Sequence, residues 1–134
     1  MRNSGPLEDR ILIRELYGLY SDASNRGDAD AWLACFTEDG QWNSHLFRCN
    51  GAAELRQQWD LLWANFANLG FLCEVGPIEV SGDNARARSY AREIIRLKDG
   101  GLYKLIGAYD DHLVRRDGNW LFARRDYTPS VEEA

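Results

Sequence analysis

Three turn signals punctuate the second half of the chain: Ser81-Gly82-Asp83-Asn84, Lys98-Asp99-Gly100-Gly101 and Arg116-Asp117-Gly118-Asn119. They leave runs of 13 and 14 residues between them. Gly, Asn and Asp supply the positive-φ positions that tight hairpin loops require. Runs of this length between hairpin turns are long antiparallel strands. The spacing predicts a meander with strands at about 71–80, 85–97, 102–115 and 120–128, with Pro129 closing the last one before an acidic tail.

The first half has a different period. Leu7, Ile11, Leu12, Leu16, Leu19, Tyr20 and Ala23 recur in steps of three and four, one stripe of a helix reaching to about Asn25. Gly18 inside it is unfavourable by ~1 kcal/mol against Ala, which suggests a close neighbour. Gly27-Asp28 ends that helix and caps a short second one with Trp32, Leu33 and Phe36 on its apolar face. Glu38-Asp39-Gly40 reads as a turn and Gln41 to Phe47 as a strand. Asn50 reads as the cap of a third helix carrying Leu55, Trp59, Leu62, Trp63 and Phe66. Helices first and a sheet last is an α+β arrangement, with the helices on one face of the sheet.

Alternation along 85–97 sorts the faces. Ala85, Ala87, Ser89, Ala91 and Glu93 lie on one side; Arg86, Arg88, Arg92 and Arg96 lie on the other. The small side suits a close helix or ligand. The arginine side suits solvent, a subunit contact, carboxylates such as Glu74 and Glu79, or an anionic partner.

With 134 residues, 45% of them apolar, the chain is one domain with a sizeable core. A net charge of −5 argues against nucleic acid as the main partner. No 18-residue apolar run is present to span a membrane. Met1-Arg2-Asn3-Ser4-Gly5-Pro6 lacks the apolar stretch of a secretory signal. Cys35, Cys49 and Cys73 form no C-x-x-C pair, and His45 and His112 lie far apart. This pattern suits reduced thiols in a cytoplasmic protein, with neither metal nor cofactor expected.

Ile13 to Asp39, with Tyr20, the Asn25-Arg26-Gly27-Asp28-Ala29-Asp30 segment and Phe36-Thr37-Glu38-Asp39-Gly40, resembles the opening of SnoaL-like proteins. So do Gly82-Asp83-Asn84-Ala85-Arg86-Ala87-Arg88-Ser89-Tyr90 and Gly107-Ala108-Tyr109-Asp110-Asp111, followed by Asp117-Gly118-Asn119-Trp120. These proteins belong to the nuclear transport factor 2-like superfamily, with ketosteroid isomerase and scytalone dehydratase. The resemblance runs over about 7–127 and implies a bent sheet wrapped by three helices into a cone around a ligand cavity. The same fold serves enzymes and non-catalytic subunits, so function rests on the cavity residues.

The resemblance places Tyr20 where ketosteroid isomerase carries its oxyanion-hole tyrosine, and Asp111 where a protonated aspartate shares that role. Two such donors aimed at one oxygen stabilise an enolate. The position of the isomerase's basic aspartate falls on Ser44, a poor base unless activated. Adjacent strand residues face opposite ways, so a one-residue slip would turn His45 inward instead and give a His45–Asp111–Tyr20 acid/base set. No counterpart of the dehydratase histidines is evident; the segment reads Phe71-Leu72-Cys73, and Cys73 is retained as a substrate contact. Tyr109 shares a face with Gly107 and Asp111 and either orients substrate or fills the cavity. Glu93 looks into the cavity mouth or marks the strand's exit from the core. Arg124, placed by alternation beside Trp120 and Phe122, pairs with Asp126 or Glu93 or binds a substrate carboxylate. Trp63 and the other helix aromatics are core or pocket wall.

These readings lead to a cofactor-independent lyase or isomerase acting on a small, largely apolar hydroxylated or carbonyl compound. The rival is a non-catalytic small-molecule-binding or assembly protein. The row Lys104, Ile106, Ala108, Asp110, His112 and Val114, too apolar for free surface and too charged for core, leads to a homodimer through the outer sheet face.

Overall fold

The computed structural model describes residues 1–134. In chain order the elements are α1 (Leu7–Arg26), α2 (Ala29–Leu33), β1 (Phe36–Asn43), β2 (Arg48–Asn50), α3 (Ala52–Trp63), β3 (Phe66–Ser81), β4 (Asn84–Leu97), β5 (Leu102–Arg116) and β6 (Asn119–Glu133). The strands form one six-stranded sheet in the order β2-β1-β6-β5-β4-β3. All neighbours are antiparallel except β1 and β6, which run parallel. The expected meander is present as β3 to β6, and the α+β architecture with three helices on one face holds. No helix is long and apolar enough to cross a membrane.

Several local expectations are corrected. The buried stripe of α1 is Ile13, Leu16, Tyr17, Tyr20, Ala23 and Ser24. Leu7, Ile11, Leu12 and Leu19 are exposed, because the face that meets the sheet is rotated from the one the Leu/Ile pattern marks. Gly18 has no neighbour where a Cβ would stand, so no close approach explains it. Gly27 does end α1, in the left-handed region at φ 64°, with the Trp63 ring 3.2 Å from where its Cβ would be. Asp28 caps α2 by accepting from the Ala31 amide at 3.0 Å. The α3 cap is Gly51 rather than Asn50.

The expected turn at Glu38-Asp39-Gly40 lies inside β1. Phe36 pairs with Phe122, and pairing resumes only at Gln41 with Arg124, so the intervening residues bulge out. A Cβ on Gly40 would sit 2.9 Å from the Thr37 carbonyl oxygen, which is why the bulge needs glycine there. β1 then stops at Asn43, leaving Ser44 to Phe47 as a loop before β2. Both ends of the chain pair with the sheet. Ser4 bonds both ways across to Ile78 and Val80 of β3, and β6 continues through Pro129, which pairs with Gly107 beside a second bulge.

Two shifts in the β5–β6 register decide what faces inward. His112 pairs with Arg124 but Leu113 pairs with Phe122, so Ala123 is an extra residue; the second shift falls between Ile106 and Gly107. An extra residue reverses the alternation of everything beyond it. Trp120 and Phe122 face the core, and past the bulge so does Arg125, while Arg124 is turned outward.

Aromatic rings fill the space under the sheet. Trp32 lies 5.1 Å from Phe36, 5.1 Å from Trp42 and 4.8 Å from Trp59, centroid to centroid, and Tyr20 packs against Phe71 and Phe122 at 5.7 and 5.6 Å.

Candidate functional site

The polar groups of the interior form layers along the cone. Nearest the closed end, Asp9 of α1 accepts from Arg115 Nη1 at 2.6 Å and from Trp120 Nε1 at 3.2 Å. In the next layer Asp111 of β5, fully buried, accepts from Arg125 Nε at 2.8 Å and Nη2 at 3.1 Å and from Ser89 Oγ at 2.9 Å, and the Tyr17 hydroxyl also donates to it. Arg125 is itself fully buried, and its Nη1 has no hydrogen-bond partner. Its guanidinium carbon instead lies 3.7 Å from the Tyr109 ring centroid, 4.4 Å from that of Phe122 and 4.5 Å from that of Tyr20. Cation–π attraction to electron-rich ring faces is worth ~2 kcal/mol in a dry setting.

This layer corrects the expected pairing of Tyr20 with Asp111. The tyrosine on Asp111 is Tyr17, one turn earlier on the same face of α1. A helix advances about 4.5 Å over three residues and a strand about 6.6 Å over two. Tyr17 therefore stands level with Asp111, and Tyr20 level with Tyr109. Asp111 does not line the cavity described below, and its oxygens are occupied by donors. Its partners are Arg125, Ser89 and Tyr17, and it offers nothing to a ligand in that cavity.

Beyond Tyr20 and Tyr109 the cone opens into a cavity of about 200 Å³, lined by 22 residues of which 17 are hydrophobic. Trp32, Trp42, Trp59 and Trp63 form much of its wall, and Tyr20, Tyr109, Tyr127 and Glu93 supply polar atoms. Glu93 sits on β4 between Phe71 of β3 and Leu105 of β5, neither of which offers it a donor. Burial in these apolar surroundings pushes its carboxyl from 4.5 up to about 7, partly offset by the Arg125 charge. Burial likewise raises the Tyr20 and Tyr109 phenols above their ordinary value, and Arg125 again works in the opposite direction.

At the mouth, Ser44 and His45 both border the cavity. Alternation does not choose between them, since both lie in the loop after β1. Ser44 Oγ accepts from the Leu46 amide at 3.0 Å, and exposed His45 places Nε2 3.6 Å from Glu132 Oε1. Of the remaining candidates, Trp63 lines the cavity but Cys73 and Arg124 do not. Cys73 is half-buried on β3, its thiol pushed up by burial. Arg124 is on the outer side of the Ala123 bulge, where its Nε donates to Asp126 Oδ2 at 2.8 Å. No cluster of three His, Cys, Asp or Glu side chains is assembled anywhere.

Alternation from Trp120 selects Arg124; only the bulge selects Arg125, and no residue type in Leu121-Phe122-Ala123 announces it. Tyr17 is absent from the expected stripe, and its place three residues before Tyr20 is the one signal that marks it.

The sequence profile of the SnoaL-like domain matches residues 5–126. No curated protein matches the chain by sequence. Among solved structures, the chain is similar to a candidate aromatic ring hydroxylase from Novosphingobium aromaticivorans, with 26% identity, TM-score 0.91 and coverage of 97% of this chain and 95% of the other. It is also similar to a candidate scytalone dehydratase from the same species, with 24% identity, TM-score 0.87 and coverage of 95% and 87%. A type 3 LinA hexachlorocyclohexane dehydrochlorinase from Novosphingobium barchaimii shares the fold at 16% identity, TM-score 0.84, with 95% and 90% covered. With its profile matched over nearly the whole length and its cone of helices and bent sheet, the chain belongs to the SnoaL-like family.

Proposed function

We propose that the protein is a cofactor-independent lyase or isomerase in which Glu93 moves the proton. The observation that carries this reading is a carboxyl without a hydrogen-bond partner, held at about 7 in an aromatic cavity that also presents two phenols. A base is most effective when its pKa lies near the working pH, and desolvation has moved Glu93 there. Two of the similar proteins carry the names of eliminations, a dehydration and a dehydrochlorination, and both reactions begin from a proton on carbon.

In this mechanism the ionised Glu93 takes a proton from a carbon next to a carbonyl. The C–H electron pair moves into a C=C bond as the carbonyl oxygen becomes an enolate. Tyr20 and Tyr109 donate hydrogen bonds to that oxygen, each worth about 3 kcal/mol if preorganised. Protonated Glu93 then returns the proton to another carbon of the conjugated system, giving isomerisation. In a substrate with a β-hydroxyl, the hydroxyl instead leaves with a proton as water. Arg125 makes both phenols better donors by opposing the effect of their burial, while Asp111 and Tyr17 hold Arg125 in place. His45, Ser44 and Glu132 border the entrance.

The test is isomerisation of 3-cyclohexenone to 2-cyclohexenone, or deuterium exchange of its α-protons, followed by NMR. The wild-type rate is expected to rise with pH through about 7, and Glu93→Gln to lower it by about 10²–10⁴-fold. A rate untouched by Glu93→Gln would refute the role of Glu93. The rival reading, a binding protein without turnover, is favoured by Ser44, whose hydroxyl is engaged by the loop's own backbone. Ligand binding with no exchange across a ring-ketone panel would establish it.

A further inference from the structure

The apolar cavity does not end at its mouth. Ser44, His45 and Tyr127 border it on one side and on the other border a second, polar groove of about 400 Å³ with a single hydrophobic residue among its nine. The groove runs around the edge of β6 that β1 leaves uncovered when it stops at Asn43.

Its charges do not cancel. Asp126 accepts from Arg124 Nε at 2.8 Å and from Asn43 Nδ2 at 2.9 Å, so that carboxylate is already answered. Glu132, 3.6 Å from His45, lines the apolar cavity and not the groove. Arg48, exposed at the start of β2, makes no ion pair and leaves the groove with an unanswered positive charge. A second observation lies at the seam: the Tyr127 hydroxyl is buried and has no hydrogen-bond partner. Its ring lies over Gly107, where a Cβ would come within 2.2 Å of it, so the β5 backbone leaves room for a tyrosine in this position. A buried polar atom left open is costly unless a ligand or water completes it.

The size of the inner cavity limits what enters. An apolar cavity of roughly 150 Å³ accepts benzene, so about 200 Å³ accepts one ring and not a fused pair. We propose that the natural ligand is a single-ring compound carrying a carboxylate side chain. Its ring packs among the tryptophans, and its chain passes Tyr127 at the mouth to bring the carboxylate to Arg48. The proposal uses the cavity of the preceding section as a binding site and does not require Glu93 to act as a base.

The experiment is a titration of intrinsic tryptophan fluorescence with 3-phenylpropanoate and with its neutral amide, using wild type, Arg48→Gln and Glu93→Gln. Four tryptophans in the cavity wall report the ring. The acid is expected to bind about three- to fivefold more tightly than the amide at low salt, an effect of the size of one partly exposed ion pair. Arg48→Gln should erase that preference and leave amide binding unchanged, and 0.5 M salt should do the same in wild type. Equal affinity for acid and amide in wild type would overturn the proposal. So would an Arg48→Gln effect on both probes alike, or no binding of either at millimolar concentration. Glu93→Gln, which removes a carboxylate from the cavity wall, should not lower the preference. A preserved preference with unaltered proton exchange would sink the catalytic reading alone, and lost exchange without any preference would sink this one alone.

Discussion

Replacing Glu93 by Gln should change the pH dependence of folding in a direction set by burial. The folded-state value near 7 lies above the ordinary 4.5, so the native protein holds this proton more tightly than the unfolded chain does. Stability from this residue is therefore present below pH 4.5 and is lost as pH rises through 7, once the native state must carry a charge among Phe71, Leu105 and the tryptophans. A rise from 4.5 to about 7 corresponds to about 3 kcal/mol. Gln approximates the protonated carboxyl in shape and cannot ionise. The variant should match wild type within about 0.5 kcal/mol at pH 4 and exceed it by about 3 kcal/mol at pH 9. Urea unfolding followed by tryptophan fluorescence at both pH values measures the difference, and the other titrating groups cancel because both proteins share them. A difference that stays constant between pH 4 and pH 9 would refute the reasoning, because it would mean that Glu93 ionises as easily inside as outside.

Two further outcomes are expected. Asp111→Ala removes the only carboxylate on a fully buried arginine and should destabilise the fold by about 3–5 kcal/mol, whereas Tyr17→Phe, which deletes one hydrogen bond to that carboxylate, should cost about 1.5–3 kcal/mol; equal losses in urea unfolding would contradict this ranking. Sedimentation at micromolar concentration should give a dimer, since Leu72, Ile106 and Val131 are exposed in one cross-strand row of the outer sheet face, and a Ile106→Glu variant should run as a monomer; a monomeric wild type would remove the expectation.

The meander was readable because Gly82, Gly100 and Gly118 do what their turns announce: each adopts positive φ at a hairpin tip. The order of helices and strands was readable for the same reason, local chemistry acting locally. The site was readable only where it depends on such local rules. Glu93 follows from strict alternation along β4, which pairs with β5 without a single shift from Asn84 to Arg96. Arg125 was not readable, because its direction is set by a bulge at Ala123 that has no compositional mark. The Tyr17–Asp111 contact was missed for a different reason. It depends on how far α1 slides along the sheet, a tertiary quantity to which periodicity is blind. Trp42 and Phe47 escaped notice as cavity wall because β1 is broken by the Gly40 bulge and halts at Asn43, which no alternation pattern signals.

The extra residue at Ala123 acts like a switch in a railway line. Everything after it runs on the opposite track, so the kink, and not the kind of residue around it, puts Arg125 rather than Arg124 at the centre of the fold. For a scaffold shared by proteins with names as different as dehydratase, dehydrochlorinase and hydroxylase, a kink gained, lost or moved is a route to new interiors that re-aims residues instead of changing them. Comparisons that align such chains by identity alone will pair the wrong side chains wherever two relatives differ in the placing of that single kink.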